Sequence, residues 1–354
     1  MSGVRLRRVA VVTRDRPQLA LRCLESYAAA AREFDREIEL AAYDDSPAAA
    51  TRATLREDLG AMAARYGVSA RYAGPEEKGR FIDELDGALR PAARFALGMA
   101  EDWGAPPIGA NRNAVALDAA GDAVFMTDDD SLCLVADVPG RRAGARCADG
   151  VAGFEHWFFP DRAATLAACP PKPADLLGLH EAALGRPAAE LLPGAGWDGG
   201  RAVVTLNGYL GDGASSSRSY LHLTGGSRER LRRSEESFWL AVRRREECRG
   251  VTQTTLSRGA YFMGAFAGLD LRRPLPPFPP AGRGEDGAFG ALRWALQPED
   301  FSVVLPVAAL HDPRPARAYS DNELRSPDLS VCDVVFAAAL ASGPVTAQAL
   351  GADL

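Results

Sequence analysis

Asp128, Asp129 and Asp130 stand directly after the apolar run Ala123–Thr127, so three carboxylates gather where a buried-type strand ends. Acids this close repel one another unless a cation or hydrogen-bond donors sit among them. An all-oxygen set of this kind suits Mg²⁺ or Mn²⁺, ions that keep several waters and bridge to substrate phosphates. The plainer account is a helix N-cap or an acidic turn, and the three residues alone do not choose between the two. Other strand ends carry groups fit for the same work: Thr13 closes the run Arg8–Thr13, and Asp44 and Asp45 follow Ile38–Tyr43.

The elements that must position these residues alternate in type. After the strand Arg8–Thr13, Pro17 is placed to start a helix, and Leu19–Ala31 carries a helical stripe through Leu21, Leu24 and Tyr27. A second strand at Ile38–Tyr43, a helix over about Ala48–Arg65 and a third strand at Val68–Tyr72 follow. Helix-length connections between short strands predict a parallel sheet with right-handed crossovers, and such sheets bind ligands beyond the carboxyl ends of their strands. Thr13, Asp44, Asp45 and the three aspartates all fall there.

The middle is less regular. Residues 137–225 read as a loop-rich insertion with short helices, rich in Gly and Pro, in which Phe154, Trp157, Phe158, Phe159 and Trp197 need burial or a ligand. Gly208–Gly213 reads as an active-site or acceptor loop, with Asp212 an unassigned polar contact. His156 and Trp157, with His222, are candidates for an acceptor pocket, against core packing as the plainer reading. Ser227–Glu247 reads as one charged helix packing on Leu231, Phe238, Leu240 and Val242, and Gly259–Leu269 as a strand. Gly284–Gly287 opens a helix to about Leu296, Phe301–Leu305 is a further strand, and the tail from Ser326 reads as an apolar helix.

With 354 residues, 47% hydrophobic and 25% charged, the chain can bury a large α/β core. A net charge of −6 argues against general nucleic-acid binding, which needs a basic excess to neutralise phosphates. The cations are almost all Arg, with Lys only at Lys78 and Lys172, so a lone Arg says little about phosphate. The six cysteines form no Cys-x-x-Cys pair, and Val9–Val12 is too short for a signal core. These features predict reduced, mostly buried thiols, a cytoplasmic location and no membrane span.

Four segments in order, Val9–Pro17, Tyr43–Ser46, Gly109–Ala114 and Gly121–Asp130, together resemble the opening half of GT-A-fold glycosyltransferases, most like the family-2 type. Gly284–Gly287 is similar to that family's later Glu-Asp motif. The resemblance covers residues 6–132 well and short islands of 255–315. The usual Gly between the second Asp and Ser is missing, and Ala-Arg-Asn reads Asn111-Arg112-Asn113. It implies a Rossmann-like, mixed and mostly parallel sheet flanked by helices. Residues 1–136 would form a nucleotide-sugar half, 137–225 an insertion near the acceptor, 226–325 the catalytic and acceptor half, and 326–354 a helical tail.

The resemblance also implies roles. Asp130, with Asp128 and His311, would hold Mn²⁺ or Mg²⁺. Asp44 or Asp45, with Thr13 and Arg16, would flank the nucleoside, and Asp128 would serve the ribose, while Asp129, also counted with the nucleotide site, points elsewhere or hydrogen-bonds the backbone. Arg112 and Asn113 would add contacts to base, ribose or phosphate. Asp286 would be the general base, with Glu285 beside it; spacing alone would have both merely complement the helix dipole. The expected activity is metal-dependent transfer of a sugar from a nucleotide-sugar donor to a soluble acceptor (small molecule, peptide or saccharide), with inversion because one base suffices for direct displacement. Two alternatives are a sugar nucleotidyltransferase, which would want a Gly-rich loop where Thr13–Pro17 has none, and a catalytically silent nucleotide- or sugar-binding scaffold.

Overall fold

Val9 and Val11 of the first strand pack into one apolar layer, while Ala10 and Val12 pack into the layer on the other face. This alternation explains the uninterrupted apolar run: a strand covered on both faces has no polar side to show. The computed structural model describes residues 3–99, 108–150, 152–197, 199–213, 223–315, 317–320, 322 and 338. The first strands are β1 (Arg8–Thr13), β2 (Glu39–Asp44), β3 (Ser69–Ala73), β4 (Ala123–Asp128), β5 (Ser131–Asp137) and β6 (Ala145–Ala148). The rest are β7 (Glu155–Phe158), β8 (Ala202–Asp212), β9 (Glu246–Gly250), β10 (Thr254–Ser257), β11 (Phe266–Asp270) and β12 (Phe301–His311).

All twelve belong to one sheet, with the path β3-β2-β1-β4-β11-β8-β12-β10-β6; β5 pairs with β12, and β9 joins β7 to β8. β3, β2, β1 and β4 run parallel, as the helix-length connections predict. β11 then runs antiparallel between β4 and β8, so the sheet as a whole is a mixed α/β sheet flanked by helices. The helix Pro17–Glu33 begins at its proline and buries Ala20, Cys23, Leu24 and Tyr27 against the layer of Val9, Leu40 and Phe125. On the other face Val115, Phe278 and Phe289 join Val124 and Met126, with Phe278 and Phe289 stacked at 4.1 Å. Burying one such side chain contributes about 1.5–3 kcal/mol.

Several elements differ from the sequence reading. Gly208–Gly213 is no loop: residues through Asp212 complete the eleven-residue, fully buried strand β8. Its glycines are there for close approach, since a Cβ at Gly208 would stand 2.1 Å from the Arg249 carbonyl oxygen on β9. The segment 137–225 likewise contributes β6, β7 and β8 to the sheet. Ser227–Glu247 divides into helices Gly225–Leu231 and Glu235–Arg243, with Ser234 capping the second, and then enters β9. The strand expected at 259–269 is confined to β11, and β12 runs straight through Pro306 to His311 with a register shift there. The tail from Ser326 lies outside the described residues apart from Ala338, as does His222.

Candidate functional site

Strand register assembles the site. Thr13 lies opposite Asp44, and Val12 opposite Asp128, so the carboxyl ends of β1, β2 and β4 form one edge. The chain turns at Asp129 and Asp130 and leaves as β5, which pairs with β12 so that Ser131 faces His311. That pairing brings His311 to Asp130, with 3.0 Å between Nε2 and Oδ1. The turn is held from behind by the Cys23 thiol on the Ser131 carbonyl at 2.8 Å and by the Asp312 N–H on the Asp130 carbonyl at 2.8 Å.

The three aspartates point three ways. Asp128 meets Arg112 at 3.0 Å. Asp129 accepts from the Thr13 hydroxyl at 2.7 Å and from Arg16 at 3.3 Å. Asp130 meets His311 and, at 3.5 Å, Arg16. Burial and the neighbouring Asp130 charge push the Asp129 carboxyl up to about 7, against Thr13 and Arg16. Burial would raise Asp130 as well, but the His311 charge and hydrogen bond outweigh it and hold that carboxyl down at about 2. His311 is raised above its ordinary value: burial opposes the imidazolium, and Asp130 more than compensates. Its Nδ1–H donates to the Asp212 carbonyl at 2.5 Å, which leaves Nε2 turned to Asp130. The Asp212 carboxylate is itself fixed by Arg245 at 2.9 Å and Arg317 at 3.1 Å.

A second group forms around Arg112, on the helix Ile108–Asp118. Its buried guanidinium lies 3.4 Å from Glu285 and 3.3 Å from Asp286 as well as beside Asp128. Glu285 and Asp286 open the helix Glu285–Leu296, whose entry residue Gly284 has φ 93°, a backbone conformation that side chains disfavour. Asp286 accepts from the Gly264 N–H at 2.7 Å, while its Oδ1 is buried without a hydrogen-bond partner. Burial pushes Asp286 up to about 7; Arg112 opposes this, and Glu285 and Asp128 add to it.

The third group sits at the end of β2. Asp44 is occupied by its own turn, accepting from the Ser46 N–H at 2.8 Å, from the Ser46 hydroxyl and from the Tyr72 hydroxyl at 3.0 Å. Asp45 pairs with the buried Lys78 ammonium at 2.5 Å, and burial keeps its carboxyl above the usual range even so. Lys78 also donates to Asn111 at 2.7 Å, and Asn111 ties down the Thr13 and Tyr43 carbonyls. Sequence reasoning missed Lys78; the signal was a lysine kept in a chain that otherwise uses arginine.

Some candidates stand elsewhere. Asn113 is spent on backbone, bonding Ala96 and both polar groups of Phe278, so it braces a loop instead of facing the edge. Arg112 faces carboxylates where nucleotide contact was expected. His156 is buried against Glu247 at 2.8 Å, as core packing requires, and His180 is a core histidine bonded to Thr205 and Asn207, with burial holding it down at about 4. Cys23, Cys133, Cys169 and Cys248 are buried free thiols, and Cys147 is half-buried.

Among the described residues no three His, Cys, Asp or Glu side chains gather as an ion's ligand set. The pair that fits a divalent ion is Asp130 with His311. Two ligands about 2.1 Å from one ion and at right angles lie about 3 Å apart, the separation seen here. The Asp212 carbonyl fixes the imidazole in the way that a second partner fixes a metal-binding histidine. No helix of the described residues is long and apolar enough to cross a membrane. A comparison with protein-family models finds no match, and a comparison with curated proteins finds none either.

Proposed function

We propose that this chain is a metal-dependent glycosyltransferase of the GT-A type, similar to family 2, that transfers a sugar from a nucleotide donor to a soluble acceptor with inversion. The observation that carries the reading is the contact between Asp130 and His311, which β12 delivers to the carboxyl edge of the parallel strands. Asp130 and His311 would hold Mn²⁺ or Mg²⁺, with Asp128 turned instead to Arg112. Such an ion, when bound, neutralises the charge that grows on a departing diphosphate. Two protein ligands leave positions for waters and phosphate oxygens, the usual arrangement for these ions.

Thr13, Arg16 and Asp45, with Lys78 behind Asp45, line the edge where the nucleoside would lie. Arg16 is half exposed and pairs with both Asp129 and Asp130, so a donor phosphate would compete with these carboxylates for it. Asp286 is the base. Its carboxylate, ion-paired with Arg112, takes the proton of an acceptor hydroxyl as the hydroxyl oxygen bonds the anomeric carbon and the bond to the diphosphate breaks. A carboxyl that titrates at about 7 is matched to proton transfer near neutral pH. Glu285 balances Arg112 and keeps it in place. The nucleotidyltransferase alternative would require phosphate-cradling backbone at Thr13–Pro17, where an Arg-Asp-Arg-Pro turn stands instead.

The test is a panel of nucleotide sugars with Mn²⁺, followed by free nucleotide release with simple acceptors. Stabilisation by one nucleotide that vanishes in excess EDTA is the expected result, because a ligand of the native state raises stability by mass action. Equal binding in EDTA would refute the metal reading, and binding without any turnover would favour the silent scaffold.

A further inference from the structure

Arg112 is among the most deeply buried cations of the chain, at 3% exposure, and it touches three carboxylates from two parts of the fold. Asp128 ends β4, whereas Glu285 and Asp286 begin a helix more than 150 positions later. The guanidinium lies close against Gly264: a Cβ there would stand 2.2 Å from Nη1 and 2.4 Å from Cζ. The same glycine donates its N–H to Asp286 Oδ2 at 2.7 Å, and Arg112 Nε stands 3.3 Å from Oδ1. Each oxygen of Asp286 is therefore set by one member of a pair that can approach only because position 264 has no side chain. Register explains why position 264 is there, since Phe266 pairs with Thr127 and carries the chain before β11 over the end of β4.

We infer that Arg112 and Gly264 together are positioning residues for the proposed base Asp286, with Asp128 anchoring the far side of the guanidinium. This rests on the glycosyltransferase reading only for the name of the reaction, since the arrangement itself is a matter of charge and contact. The neighbouring charges also fix the sign of the effect. Arg112 is the cation facing Asp286, and Glu285, Asp128, the Tyr261 hydroxyl and the Gly264 N–H also face it. Taking the cation away makes the carboxyl harder to ionise, and an opposite charge at this range is worth about 1–3 pH units.

The experiment is a titration of Asp286 in the full chain by carboxyl NMR of protein labelled at aspartate, with the signal assigned by its loss in Asp286→Asn. Arg112→Gln should raise the Asp286 midpoint by at least about one pH unit, and Arg112→Lys should restore part of that shift. Gly264→Ala, which pushes the guanidinium aside without removing it, should also raise the midpoint. In the active enzyme all three should lower kcat more than they change KM for the donor. A merely structural role predicts lower thermal stability with one midpoint for every variant, and that result would overturn the inference. If Arg112→Gln fails to fold, the Lys and Gly264→Ala variants decide. The titration needs neither nucleotide nor acceptor, so a protein that turns over no nucleotide sugar would sink the proposed reaction and leave this result readable.

Discussion

Asp286→Asn separates what the carboxylate does for chemistry from what it costs the fold. Asn keeps an oxygen for the Gly264 N–H at 2.7 Å, but it cannot take a proton and places an amide toward Arg112. Transfer should fall 10²–10⁴-fold, roughly 3–5 kcal/mol of barrier. Stability should move the other way as pH rises. The Asp286 carboxyl titrates at about 7 in the folded chain, against roughly 3.9 in an unfolded one. Because the folded value is the higher, ionisation destabilises the fold. The cost is absent below about pH 4, accumulates as pH rises, and is complete above about pH 7, at on the order of 4 kcal/mol. Between pH 5 and pH 8, wild type should therefore lose stability relative to Asp286→Asn, by a few kcal/mol at most. Denaturant unfolding of both proteins at the two pH values measures this, and nucleotide release measures the chemistry. Parallel stability profiles would refute the electrostatic account, and turnover within tenfold of wild type would refute the base.

Three further outcomes are expected. Asp130→Ala should abolish Mn²⁺-dependent nucleoside diphosphate binding in calorimetry while circular dichroism stays native; binding that survives would remove Asp130 from the metal. His311→Ala should weaken Mn²⁺ affinity more than it weakens nucleoside binding, and identical metal titrations for variant and wild type would return His311 to a structural role. In wild type, Mn²⁺ affinity should rise as pH climbs through the elevated His311 value, because the metal must displace a proton that Asp130 holds there; a flat profile would argue against imidazole ligation. Glu285→Gln leaves Arg112 two of its three carboxylates, so turnover should fall less than tenfold, and a loss as large as that of Asp286→Asn would reassign the base.

The parallel half was legible because its signals are local. Arg8–Thr13 is the strand the apolar run predicts, and Pro17 starts its helix as a proline at a first turn does. The strand-end positions of Thr13, Asp44 and Asp128 followed from the same periodicity. What escaped depends on partners distant in sequence. The glycines around Tyr209 look like a loop until β9 is laid against them at a distance no side chain permits. β5 follows the aspartates after a two-residue turn and is settled by pairing with β12, and Pro306 hid the continuity of that strand. Arg112 and Asn113 share a motif yet serve different neighbours, because adjacent helix positions face about 100° apart. No single-sequence pattern reports which face meets carboxylates and which meets a backbone loop.

The pairing of β5 with β12 also sets when the site can exist. Asp130 and His311 lie about 180 positions apart, so their contact carries one of the larger loop-closure costs in the chain and forms late. The β1–β4 part can condense through neighbouring βα units, with Thr13, Arg16 and Arg112 already beside the three aspartates, but Asp130 then lacks its imidazole partner. Only after β12 is synthesised and laid beside β8 does the imidazole reach the carboxylate. Assembly of the pair is thereby tied to the arrival of β12, and a truncation before residue 311 removes it.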